Sequence, residues 1–368
     1  MECQVLFHTN TFLQLRAILL PPAHHPLCFS SHFSQPRILT ILTTNTLTSS
    51  PTATMPVNCG HYPPIPSRCN LPLPSTGTIL GNRWYLHQKL GSGGFNQVYS
   101  AQDIFGQRKE LVAIKVPRCL TETGPEGPEM HRALRAGSRV HVGRRNVLLP
   151  LDVFYRRDHR ACVVLPKMDG SLEDLAWTGR DPRGIFAIYR ALVAGLHYLH
   201  ESCNIVHCDI KPENILITKY PTTIKYADFS GQKITRRSET FRARDILADT
   251  RYRAPEFWVD QNNLTHRIDV WSLGVVFYRL WNDGHMPYAI RNTHTAQEIY
   301  TMMNINVEGH LIARNESSEN RRLRERAVFL IKQMLRMNPT PDGSGRVPTR
   351  CSARYLAREF EFEGCELR

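Results

Sequence analysis

The run 268–281 is apolar on nearly every side of a helical projection, so a helix there has no face to turn to water. Such a helix belongs in the centre of a lobe, surrounded by other elements. The rest of the chain supplies them. From Trp84 come short β-rich runs at 84–90, 98–103, 111–116, 151–155 and 161–165. Longer helical patterns follow. Within 184–201, Ile185, Ile188, Tyr189, Leu192, Leu196 and Leu199 recur at three- and four-residue steps and make one face apolar. A strand-rich part followed by a helix-rich part reads as an α+β architecture of two lobes with a cleft between them. No internal repeat is present.

The first 80 residues have another composition. Between Cys3 and Gln102 there is no Asp or Glu, while Pro, Thr, Ser and His are frequent. Stretches such as Pro21-Pro22-Ala23-His24-His25-Pro26 and Leu71-Pro72-Leu73-Pro74 cannot form regular elements, because proline fixes φ and removes a donor. Residues 1–80 are therefore expected to be a disordered, low-complexity extension. The folded domain is expected at 81–361, its strand-rich lobe at 81–166 and its helical lobe at 167–361, with 362–368 as a tail. The apolar start, 5–20, is broken by His8, Asn10 and Arg16 and is too short and too polar to span a bilayer. Its acid-poor, hydroxyl-rich, Arg-dotted composition also describes an organellar transit peptide, and a start at Met55 would omit it. Both readings stay open.

The chain carries 46 Lys+Arg against 33 Asp+Glu, a balance that suits anionic partners or simply a soluble basic surface. The tract 321–326 reads as one solvated helix face, and nucleic acid is not an expected partner. Ten cysteines include no CxxC pair, which argues against zinc. Scattered, reduced thiols point to cytosol or nucleus. None of these features encodes an oligomeric state.

The chemistry-bearing residues are concentrated in a few segments. His207-Cys208-Asp209-Ile210-Lys211-Pro212-Glu213-Asn214 packs a candidate base, a cation and a metal-ligating amide into one short stretch. An Asp with an Asn five residues on suits phosphoryl transfer, where one group accepts a hydroxyl proton and another holds Mg²⁺ against phosphates. Gly91-Ser92-Gly93-Gly94-Phe95-Asn96-Gln97-Val98 lies between two expected strands, where glycines let backbone N–H groups approach phosphate oxygens. Val112-Ala113-Ile114-Lys115 places one cation inside an apolar strand. That cation needs an anion, whether carboxylate, phosphate or both. Asp228-Phe229-Ser230 follows a short expected strand at 223–227. Ala254-Pro255-Glu256 and Asp269-Val270-Trp271-Ser272-Leu273-Gly274 come later.

Taken together and in this order, the segments resemble the eukaryotic protein kinase family over roughly three quarters of the chain, 84–361. The resemblance implies a two-lobed kinase fold and Mg²⁺-dependent transfer of the ATP γ-phosphate to serine or threonine hydroxyls of a protein substrate. It implies Asp209 as base, Lys211 as the cation beside the transferred phosphoryl group, and Asn214 and Asp228 as Mg²⁺ ligands. ATP would be held by Gly91, Ser92, Gly93, Gly94, Phe95 and Val98, by Ala113 and Lys115, and by Leu165, Lys167, Met168 and Leu216. The carboxylate partner of Lys115 would be Glu129, with Glu126 as the alternative. The resemblance also implies that His207 bonds the backbone, that Thr250 bonds Asp209 and Lys211, and that Asp269 braces the catalytic loop. Glu256 would pair with an arginine near the C-terminus, Arg346 being the candidate. The chain departs from the family at Asn96, Cys208, Ser230 and Pro166, and Pro128 confines Glu129 to a first helical turn. These departures motivate a second reading, a pseudokinase scaffold that binds nucleotide without efficient transfer.

Overall fold

Trp84 and Leu86 are buried while Tyr85 and His87 face water, the alternation that a pleated strand with one covered face requires. The computed structural model that displays this pattern describes residues 72–92, 96–118, 133–135, 137–157, 160–175, 181–219, 222–229, 231–235, 239–246, 248–291, 294–305, 307, 317–339 and 349–366. Strands β1 (Ile79–Leu80), β2 (Trp84–Ser92), β3 (Asn96–Asp103), β4 (Val112–Pro117), β5 (Asp152–Tyr155) and β6 (Ala161–Pro166) form one antiparallel sheet, ordered β1-β2-β3-β4-β6-β5. Trp84, Leu86, Tyr99, Ile114, Val116 and Val164 make its core. Strand β2 runs on through Ser92 and β3 resumes at Asn96. The glycine-rich connection is therefore shorter than the sequence suggested.

Residues 72–80, assigned by composition to the extension, belong with the sheet. Leu73 packs on its core, Tyr99 Oη donates to the Pro74 carbonyl at 2.8 Å, and Arg156 donates to the Pro72 carbonyl at 3.0 Å. Proline lacks a donor but keeps an acceptor, so a Pro-rich strap can be tied down from outside. We expect a chain beginning at Pro72 to melt about 5 °C above one beginning at Thr76, since Leu73 and two hydrogen bonds stabilise by about 2 kcal/mol. Equal melting temperatures would show the strap to be idle.

The helical part begins with β7 (Gly170–Ser171) and α1 (Pro182–His197). Asp181 caps α1 by accepting from the Gly184 N–H, and Pro182 takes the first turn, where its missing donor costs nothing. The pattern at 184–201 implied one continuous helix. Instead the chain widens into a π-helical turn over Tyr198–Ser202, so that Tyr198, Leu199 and His200 are all buried. Then come β8 (Ile205–Val206), β9 (Ile215–Thr218), β10 (Thr223–Tyr226) and β11 (Lys233–Ile234), paired as β10-β9-β7 and β11-β8. Helices α2 (Glu256–Val259), α3 (Arg267–Trp281), α4 (Ala296–Met303), α5 (Ser318–Met334) and α6 (Ala353–Glu366) complete the described elements. Every residue of α3 from Ile268 onward is buried, as its all-round apolar pattern required. Tyr189 of α1 stacks on Phe277 of α3 with ring centroids 3.6 Å apart, and its hydroxyl donates to the Phe277 carbonyl at 2.6 Å.

One pairing differs from the expectation. Glu256 is joined to Arg350, by two bonds of 2.6 and 2.9 Å, whereas the expected partner, Arg346, lies outside the described residues. Arg350 also donates to the Arg267 and Arg336 carbonyls and lies over the Trp271 ring, 4.9 Å from its centroid. A fully buried guanidinium needs that many partners, and the Glu256 carboxylate together with the backbone around α3 and α5 offers them.

Candidate active site

Two non-glycine residues beside the cleft have left-handed backbones, Cys208 at φ 67° and Asp228 at φ 60°. Such geometry persists only where surrounding bonds hold it. For Cys208 the holder is Asp269, which stands in the first turn of α3, where the helix dipole favours an acid. Asp269 Oδ2 accepts the His207 N–H at 2.7 Å, Oδ1 accepts the Cys208 N–H at 2.8 Å, and His200 Nε2 lies 2.8 Å from Oδ2. His207 Nε2 bonds the Ala227 carbonyl at 2.9 Å, and its ring lies 5.0 Å from that of Phe229. The Cys208 thiol is buried, and burial with the nearby Asp269 charge pushes its pKa well up, so it stays neutral.

This bracing presents Asp209. Its Oδ2 meets Lys211 Nζ at 2.8 Å and Asn214 Nδ2 at 2.8 Å. Asn214 Nδ2 also donates to the Asp209 carbonyl at 2.8 Å, and Asp209 Oδ1 accepts the Asp249 backbone N–H at 3.0 Å. That last partner was expected to be Thr250. Asp249 takes the place because its side chain caps the turn Thr250–Tyr252, accepting the Arg251 N–H at 3.0 Å and presenting its own N–H inward. Burial opposes the charge on Lys211, but the Asp209 bond and the charges of Asp209, Asp249 and Glu213 outweigh it and hold its pKa above the ordinary lysine value. The Asp209 side chain is 16% exposed, enough to be reached from the cleft.

Across the sheet, pairing aligns Gly91 with Val98, Val98 with Lys115, and Ala113 with Leu165. Ser92 ends β2. Lys167 and Met168 follow β6 and are half-buried, as is Leu216 on β9. Lys115 Nζ lies 2.9 Å from Asp228 Oδ1, so the cation on the sheet meets the acid after β10 directly. The Asp228 side chain is 41% exposed and that of Lys115 only 9%. Gly93, Gly94, Phe95, Glu126, Glu129 and Ser230 lie outside the described residues.

Among the described residues no three carboxylate, imidazole or thiol groups converge on one point. A divalent ion held here would therefore take most of its oxygens from the nucleotide and solvent. That suits Mg²⁺, which binds through one or two protein oxygens plus phosphates. Asn214 Nδ2 is engaged by Asp209, which leaves its amide oxygen as the atom to offer, and Asp228 contributes a carboxylate. The donor set fits.

The sequence did not single out Asp249 as a partner of Asp209, nor the link of Arg279 to Glu173 and Tyr252. Arg279 Nη1 lies 3.0 Å from Glu173 Oε2 and also donates to Tyr252 Oη. The available signal was an Asp immediately before Thr250-Arg251, a common turn-capping arrangement.

The family described as protein kinase domain matches residues 84–344. The chain is similar to a probable cell division protein kinase of Encephalitozoon cuniculi, 31% identical over 202 residues, which cover 54% of this chain and 71% of that protein. It is also similar to a G-type lectin S-receptor-like serine/threonine-protein kinase of Arabidopsis thaliana, 32% identical over 210 residues, and to the serine/threonine-protein kinase TAO2 of Xenopus laevis, 30% identical over 199 residues. The matches span only 22% and 18% of those two longer proteins. No helix among the described residues is long and apolar enough to cross a membrane.

Proposed function

Since the chain belongs to the protein kinase family, we propose that it transfers the γ-phosphate of ATP to serine or threonine hydroxyls of a protein substrate, with Mg²⁺ as cofactor. The observation that carries this reading is the convergence of Lys211, Asn214 and the Asp249 N–H on the Asp209 carboxylate. In this proposal Asp209 accepts a hydrogen bond from the substrate hydroxyl, orients its oxygen toward the γ-phosphorus, and takes its proton as the new P–O bond forms and the bond to the β-phosphate oxygen breaks. Lys211, held cationic by its acidic neighbours, lies beside that oxygen and offsets negative charge on the phosphoryl group. Lys115 anchors phosphate oxygens from the sheet, while Asn214 and Asp228 hold the metal. When bound, Mg²⁺ neutralises charge on the β- and γ-phosphates. Gly91, Ser92, Val98, Ala113, Leu165, Lys167, Met168 and Leu216 would contact the nucleotide. Buried thiols outside any disulfide at Cys203, Cys208 and Cys351 support a reducing compartment, cytosol or nucleus.

A scaffold reading is favoured by one feature. Lys115 and Asp228 neutralise each other at 2.9 Å, so a bound nucleotide and its metal would compete with that pair for both charges. The two readings separate in an assay with labelled ATP, Mg²⁺ and a generic basic protein. We expect Mg²⁺-dependent label on serine or threonine, abolished in Asp228→Ala. Nucleotide binding without any transfer would leave the scaffold.

A further inference from the structure

A second cleft, of about 550 Å³, opens between the loop 139–151, Pro166 at the end of β6 and Lys225 of β10, and it shares no residue with the transfer site. Arg139, Arg144, Arg145 and Lys225 bring four cations to it, and no Asp or Glu is among the described residues that line it. Its apolar part includes Val142, which is 68% exposed, and the neighbouring Val140 is 91% exposed. The catalytic proposal uses none of these side chains.

The loop is held in place. His141 caps the short 3₁₀ turn Val142–Asn146 by accepting the Gly143 N–H at 3.0 Å. A Cβ on Gly143 would lie 1.8 Å from the Ala194 carbonyl oxygen, so the backbone rests directly on α1 and only glycine fits. Arg144 donates to Tyr198 Oη at 2.8 Å, and the Lys225 ammonium donates to the Arg145 carbonyl. Burial keeps the Lys225 pKa below its ordinary value, a cost that an incoming anion would offset. Arg139 and Arg145 are exposed and enter no ion pair among the described residues. Exposed cations without counter-charges on a braced loop, beside apolar side chains, form a complementary surface for carboxylates flanking an apolar group.

We propose that this cleft docks an acidic peptide segment of a partner protein, with an apolar side chain seated between carboxylates. Peptide fits better than nucleic acid because the ring that lines the cleft is already engaged. His141 packs against His197 and Tyr198 at 4.9 and 5.4 Å, so no aromatic face is left for a base to stack on. The concave shape argues against a flat lipid surface. Leu149 packs on the helical-lobe core and Leu151 on the sheet core, so an occupant would touch both lobes beside the hinge.

The test uses the full chain and a pool of short labelled peptides carrying Leu, Ile, Val or Phe between glutamates, with a glutamine-substituted pool as control. Binding is followed by fluorescence anisotropy. At least one acidic peptide should bind, more weakly as salt rises, and the glutamine pool should not. Arg139→Glu combined with Arg145→Glu should weaken binding tenfold or more, as should the uncharged change Val142→Asn, a pair of tests that reads charge and apolar contact separately. Lys109→Glu, an exposed charge reversal on the far β3–β4 turn, should change nothing. All variants should keep the parent melting temperature and basal transfer to a generic substrate. No binding by any acidic peptide, equal binding by the glutamine pool, or indifference to the Arg139/Arg145 reversal would overturn the proposal. So would loss in the reversal variant of binding to single-stranded RNA or phosphatidylserine vesicles when no peptide binds.

Discussion

Asp209→Asn is expected to lower kcat about a thousandfold while the protein remains folded and still binds nucleotide. The substitution keeps shape but removes the carboxylate that the proposed function casts as base, and general-base contributions of that kind are worth about 10²–10⁴. It also disturbs a local balance. Lys211 Nζ and Asn214 Nδ2 both donate to Oδ2 at 2.8 Å, and an amide nitrogen placed there would meet two donors. Asparagine escapes by pointing its oxygen at them, which turns its NH₂ toward the Asp249 N–H now given to Oδ1. In that orientation one hydrogen bond is lost, for about 1 kcal/mol of stability. Single-turnover kinetics with labelled ATP, alongside nucleotide titration, separates the chemical step from binding. Retention of more than a tenth of the rate would remove Asp209 from the role of base and favour the scaffold reading.

Arg350→Met is expected to be the most destabilising single change in the helical lobe. The Arg350 side chain is fully buried and that of Glu256 is 4% exposed, so removing the guanidinium leaves a carboxylate in the core without its counter-charge. Breaking a buried pair from one side costs about 3–5 kcal/mol, and Arg350 also serves backbone carbonyls at Arg267 and Arg336. For a domain of this size that corresponds to a fall in Tm of about 10 °C. The double variant Arg350→Met with Glu256→Leu should recover part of the loss, because no charge is then stranded. A single-variant loss below about 1 kcal/mol would mean that Glu256 had found another partner. Since α2 begins at Glu256, directly after the segment that includes Asp249, partial loss of transfer before global unfolding is also expected.

The elements near the site were legible because each depends on short-range pattern. Strands β2 to β6 were marked by β-rich runs bounded by turns, and α3 by a run with no polar face. Lys115, Asp209, Asn214 and Asp228 were picked out because their segments resemble, in that order, those of the protein kinase family, and the fold brings Lys115 within 2.9 Å of Asp228 across 113 residues. Register then aligns Val98 with Lys115 and Ala113 with Leu165, a consequence of strand pairing that the runs only implied.

Other features had no local signature. Arg346 and Arg350 are equivalent as sequence, both basic and both shortly before α6. Arg350 pairs with Glu256, 94 residues away, because its guanidinium lies over Trp271 and beside the Arg267 and Arg336 carbonyls, which no local pattern encodes. Composition separated residues 72–80 from the domain, but Tyr99 and Arg156 on the sheet supply the donors that hold them. The charge of the cleft at Arg139, Arg145 and Lys225 is assembled from two distant segments, and Gly143 makes the join possible by resting on Ala194. The sequence by itself determined the main strands of the sheet, the two long apolar helices and the candidates for the chemistry, because these follow from neighbours along the chain. The tertiary structure alone decided which charges meet, because a buried ion or an unpaired cation is defined by what surrounds it in space.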